Sequence, residues 1–161
     1  MPNTDPIKDI LRMFSYGLFV ATSIGPEGPR AATVSWVSQV SFEPKRVAVA
    51  LRRGTAICEA VQASRRFVLH MVGSQQPDFA RVFFKGGPVG QDEIAGYRYQ
   101  VSEGGMPIFE AAAAWLACEV VEDGNQDGDH ALFIANVLDG EIRAAGTGAL
   151  ALRDTLWHYG G

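Results

Sequence analysis

Apolar residues at Ile7, Ile10, Leu11 and Phe14 recur at helical spacing, with Asp5 or Asp9 placed to open the segment. Beyond it the pattern changes to short apolar, β-branched runs separated by turn formers. Leu18–Ile24 predicts a strand, Gly25-Pro-Glu-Gly-Pro29 a turn, and Ala31–Val40 a partner strand, so these read as a hairpin. Phe42–Arg46 predicts a second turn and Val47–Leu51 a buried strand. Thr55 then suits a helix N-cap, with Glu59 early in a helix running to about Ala63. Phe67–Val72 predicts another strand, and Ser74-Gln-Gln-Pro77 opens a helix carrying Phe79, Val82 and Phe83. Residues 86–110 are Gly-rich and irregular, with a short strand near Tyr97–Val101. Ala112–Val121 fits a helix by alanine content and a strand by its alternation at Trp115, Ala117, Glu119 and Val121; the alternation favours strand. Asp123–Asp129 is a polar turn, Ala131–Leu138 a strand, and Leu150–Tyr159 a last strand with an irregularity at Arg153-Asp154.

About seven strands at short spacing, with two or three short helices, predict a mainly β fold: a decorated barrel rather than a doubly wound parallel sheet. The 161 residues show no repeat and no linker, which predicts a single domain over 1–161. Eighteen Gly and eight Pro suit a turn-rich β fold.

Charge narrows the partners. The net charge of −4, with no basic run longer than pairs such as Arg52–Arg53, predicts no nucleic-acid partner. No apolar run approaches the ~20 residues of a membrane span, and the first residues lack a basic start and an apolar signal core. The expectation is a chain with no membrane partner, in the cytoplasm, where Cys58 and Cys118 serve as small hydrophobes.

Several motif-like stretches carry no chemistry. Asp123-Gly-Asn-Gln-Asp127 mimics the start of an EF-hand loop, but its twelfth position is Ile134 rather than a bidentate acid. Gly146-Thr-Gly148 resembles a dinucleotide fingerprint, yet the ten residues after Ala151 leave no room for helix and acidic partner. His70, His130 and His158 are not paired at ligand spacing, so no metal is expected.

Three stretches remain. Thr33-Val34-Ser35-Trp36, continuing through Val40 and Ser41, places hydroxyls on an apolar strand; they either face solvent on an edge or bond the polar rim of a flat ring. Leu51-Arg52-Arg53-Gly54-Thr55 combines a strand end, two guanidinium groups and a capped helix start, which suits a phosphate and equally suits an ordinary capped helix. Gly128-Asp129-His130 enters a strand; its histidine is either a surface turn residue or a ligand neighbour.

In this order, these stretches resemble the flavin reductase-like family from about Phe14 to Gly160, and Ser35-Trp-Val-Ser-Gln39 with Trp157-His-Tyr-Gly-Gly161 is most similar to the reductase domains of diflavin proteins. The resemblance implies an FMN-binding split β-barrel, Greek-key-like and antiparallel, with a few short helices. It implies that Thr33, Val34, Ser35, Trp36, Val40 and Ser41 contact the flavin ring, in part through backbone amides, and that Leu51, Arg52, Thr55 and Lys85 belong to the phosphate end. It implies FMN, with FAD as the other option, NADH or NADPH as hydride donor, and His130 beside the nicotinamide. It also implies a homodimer, and a partner monooxygenase or other electron acceptor. The function expected is an NAD(P)H-dependent flavin reductase; the alternatives are a flavoredoxin-like electron carrier and a non-enzymatic flavin- or haem-binding module. Departures from the family pattern are Lys45 after Pro44, His70 where Asn is common, and an end at Gly161 that predicts the loss of a C-terminal flavin contact.

Overall fold

The computed structural model describes residues 4–161. Helix α1 spans Pro6–Arg12, and the Asp5 carboxylate caps it by accepting from the Ile7 and Lys8 amides. The helix buries none of its residues among those described, and Ile7, Ile10, Met13 and Phe14 are exposed. Strands β1 (Phe19–Gly25), β2 (Gly28–Val34), β3 (Val37–Ser41) and β4 (Arg46–Arg52) follow. Then come α2 (Ala56–Ser64), β5 (Arg66–Met71), α3 (Pro77–Arg81), β6 (Glu93–Ile94), β7 (Tyr97–Val101) and β8 (Pro107–Phe109). The long hairpin of β9 (Ala114–Gly124) and β10 (His130–Ile142) closes the order, and a 3-10 turn covers Leu152–Asp154.

Seven strands pair antiparallel in the order β2-β1-β5-β9-β10-β4-β3, and β6-β7-β8 form a small second sheet. Strands β2 and β3 are separated only by Ser35–Trp36, yet they stand at opposite ends of the large sheet. A flat sheet of seven strands would hold its edges roughly 29 Å apart, whereas the three Cα steps from Val34 to Val37 span at most about 11 Å. The sheet must therefore roll up, with Ser35–Trp36 joining its two edges. The result is the expected antiparallel split barrel.

Alternation along the strands fills the interior. Val47, Val49 and Leu51 of β4 and Ala131, Phe133 and Ala135 of β10 point into one core with Ile57, Cys58 and Val61 of α2. A second core gathers Val20, Phe79, Phe83, Ile94, Phe109 and Leu152 beneath the small sheet.

Three expectations need correction. Ala31–Val40 is two strands, because the chain changes sheet edge at Ser35–Trp36 and cannot stay in one ladder. Leu150–Tyr159 is no strand: the Asp154 carboxylate accepts from the Ala151 amide at 3.0 Å and the Thr155 hydroxyl donates to Leu152 O at 2.7 Å. Such local bonds offer the backbone a turn in place of a ladder. The third helix begins at Pro77 and ends at Arg81, leaving Val82–Lys85 in turns.

Candidate functional site

At the barrel seam lies a cavity of about 540 Å³, within the size range of small-molecule sites. Strand β2 supplies Ala31–Val34, followed by Ser35, and β4 supplies Ala50, Leu51 and Arg52. The start of α2 adds Thr55, Ala56 and Ile57, the segment after α3 adds Phe84, Lys85 and Gly86, and the C-terminal segment adds Leu152 and Trp157–Tyr159.

One end gathers the capped start of α2 and two cationic side chains. The Thr55 hydroxyl accepts from the Cys58 amide at 3.3 Å and donates to Arg52 O at 2.7 Å, which fixes the start of α2. The amides of Ala56 and Ile57 have no acceptor within the helix, and the helix dipole adds partial positive charge there. Arg52 and Lys85 both line this cavity. Arg53 does not share that role: its guanidinium donates to Gly128 O at 2.9 Å and to Asn125 O at 2.7 Å, tying the turn to the β9–β10 hairpin.

The ring-binding expectation divides. Thr33, Val34 and Ser35 line the cavity. The Thr33 donors are already committed, however, since its amide donates to Phe83 O at 3.2 Å and its hydroxyl to Ala80 O. Trp36 lies behind the lining, its ring 4.4 Å from that of His130 and 5.0 Å from that of Tyr159. Its Nε1 is a buried side-chain nitrogen without a partner among the described residues. Val40 and Ser41 sit on edge strand β3, outside the cavity lining, because the register with β4 carries that strand away from the seam.

His130 is buried and does not line the cavity. Its Nδ1 lies 2.8 Å from Asp129 Oδ1 and its Nε2 lies 2.5 Å from the Tyr159 hydroxyl. The bond to His130 holds the Asp129 carboxyl below its usual range, and burial pushes the Tyr159 phenol up. In the neutral imidazole with its N–H facing the carboxylate, Nδ1–H donates to Asp129 and the Tyr159 O–H donates to Nε2.

Sequence reasoning missed Phe84, Trp157, His158 and Tyr159 as wall residues. The aromatic cluster at 157–159 was the one available signal, and its reading as a strand concealed it. His70 lies in the core, away from the cavity lining: its Nδ1 is 2.8 Å from Val20 O, and its Nε2 accepts the Phe109 amide at 2.9 Å.

The site fits a flavin. The apolar strand walls suit a flat ring and the cationic end suits a phosphate. Residues 11–160 match the model of the flavin reductase like domain. The chain is 35% identical over 141 residues to diflavin flavoprotein A 1 of Synechocystis, covering 86% of this chain and 24% of that protein. It is 32% identical over 139 residues to an NADPH-flavin oxidoreductase of Streptomyces viridifaciens, covering 85% and 72%. The styrene monooxygenase flavin reductase of Pseudomonas putida S12 superposes with a TM-score of 0.70 at 26% identity, over 86% of this chain and 87% of that one. The chain thus spans about a quarter of the diflavin relative's length. With a split barrel, a seam cavity and this match along nearly all its length, the chain belongs to the flavin reductase-like family.

Proposed function

We propose that the chain holds FMN in the seam cavity and catalyses hydride transfer to it from NADH or NADPH. The observation that carries the proposal is the division of the cavity into apolar strand walls and one cationic, helix-capped end. In this reading Arg52, Thr55, Lys85 and the first amides of α2 hold the phosphate, while Leu51, Val34 and Ser35 border the ring. Bound flavin supplies the two-electron redox chemistry. The chain's residues bind and orient the two reactants, turning an encounter into a positioned pair, and the strand walls with Trp157 and Tyr159 exclude water. FAD carries the same ring and ribityl phosphate and is the alternative ligand.

The test mixes protein, FMN and NADH or NADPH and follows nicotinamide absorbance. Oxidation above the free-flavin blank supports turnover, and a rate equal to the blank refutes it. A chain that gains no thermal stability from FMN or FAD refutes flavin binding itself, since a ligand specific to the native state must stabilise it.

A second reading, an electron carrier without its own nicotinamide site, is favoured by one observation. Tyr159 bonds His130, so the imidazole does not line the cavity. Binding of FMN without nicotinamide oxidation is its expected signature.

Exposed Ile7, Ile10, Met13 and Phe14, with Phe42 at 87% exposure, support association with a second copy of the chain. Sedimentation tests this, with a monomer as the refuting result. The styrene monooxygenase relative supports a separate monooxygenase or other acceptor for the electrons.

A further inference from the structure

The C-terminal segment changes character at Thr155. Before it, backbone bonds bind the chain to the barrel: the Leu150 amide donates to Val72 O at 2.8 Å and the Leu152 amide to Tyr16 O at 2.9 Å. After it, among the described residues, no backbone–backbone bond joins 156–161 to the rest. Leu156 is 94% exposed.

Side chains hold this strap at three separate points. On one side the Trp157 ring meets Phe84 edge-on, with centroids 4.7 Å apart. On the other, the Tyr159 hydroxyl reaches His130 Nε2 at 2.5 Å, and its ring packs edge-on against Trp36. A further bond runs from Arg12 Nε to Gly160 O at 3.2 Å. Trp157, His158 and Tyr159 all line the cavity between these anchors. With the strap in this position the cavity still has about 540 Å³, so the strap is a wall of the cavity and not a plug in it.

We propose that residues 156–161 form a latched strap over the flavin cavity, hinged at Thr155, and that the Tyr159–His130 hydrogen bond sets the rate of flavin exchange. The inference rests on flavin binding as proposed above. Tyr159 is a positioning residue: it acts through His130, whose orientation Asp129 fixes. A closed latch retains flavin as a resident group between turnovers, and an open one makes it a diffusing substrate. Because the latch bonds protein to protein, releasing it eases entry and exit alike. Loss of an ordinary ligand contact would speed exit alone.

The test measures FMN association and release by stopped-flow flavin fluorescence on the full chain, for the unsubstituted protein, Tyr159→Phe and Trp157→Ala. Loss of one hydrogen bond predicts that Tyr159→Phe speeds both rates about three- to tenfold, with a smaller change in Kd. Trp157→Ala is expected to act in the same sense, and it carries the test alone if the first variant misfolds. Unchanged release, or faster release with unchanged or slower association, overturns the latch. Absence of any FMN signal with the unsubstituted chain overturns the flavin reading as well, which separates the two failures.

Discussion

His70 and Phe109 are joined through the core: the imidazole Nε2 accepts the Phe109 amide at 2.9 Å while Nδ1 donates to Val20 O at 2.8 Å. One neutral ring thereby fastens β8 to β1, and it can do so only while Nε2 carries no proton. Burial lowers the His70 pKa from 6.5 to about 4. Between those values the unfolded chain binds the proton and the folded chain does not, so stability is full above pH 6.5 and falls as pH drops towards 4. The loss is on the order of 3 kcal/mol. Urea midpoints of the native chain and His70→Gln, compared across that range, should show the native chain losing more. Parallel pH profiles would refute the assignment.

Arg52 and Lys85 should act on the phosphate alone. Arg52→Ala and Lys85→Ala are expected to weaken FMN binding about tenfold each, as for a hydrogen bond to a charged group, and to leave riboflavin binding unchanged. Fluorescence titration with both flavins checks this. Equal losses for the two ligands would move the phosphate elsewhere.

Arg53 should behave in the opposite way. Its bonds to the carbonyls of Gly128 and Asn125 hold the β9–β10 turn against the start of α2. Arg53→Ala is expected to lower stability by about 1–3 kcal/mol, and Arg52→Ala to leave it nearly unchanged. Thermal denaturation of the two variants side by side decides between them.

The thiols should be inert. Cys58 and Cys118 are buried and free. Burial raises both thiol pKa values, that of Cys118 to about 12, which suppresses the reactive thiolate. Neither should react with a disulfide reagent in the folded chain, and both should react in denaturant. Rapid labelling of the native protein would contradict this.

Much of the fold was legible because it is local. The alternation of Val47, Val49 and Leu51 specifies β4, and Thr55 begins α2 where its hydroxyl can accept an amide. The strand reading of Ala112–Val121 also holds, as β9. Local signals failed where a distant partner overrode them. The apolar, hydroxyl-rich run 31–40 reads as one strand, and only the pairing of its halves with β1 and β4 breaks it at Ser35–Trp36. The tail reads as a strand from its composition, while Asp154 and Thr155 turn it by bonding their own backbone.

The sequence alone determined the strand-rich class, the Thr55-capped start of α2 and, through the ordered motifs, the family. Tertiary structure decided which side chains share the site. Arg52 and Arg53 are the same residue type one position apart, and the strand end turns one to the cavity and the other to the hairpin. Thr33 looks free to meet a ring until Ala80 and Phe83 take its donors. Tyr159 meets His130 across 29 residues because barrel closure and the turn at Thr155 bring them together. Periodicity records which face of an element is apolar, but the choice of neighbour across a seam depends on long-range packing that no local pattern encodes.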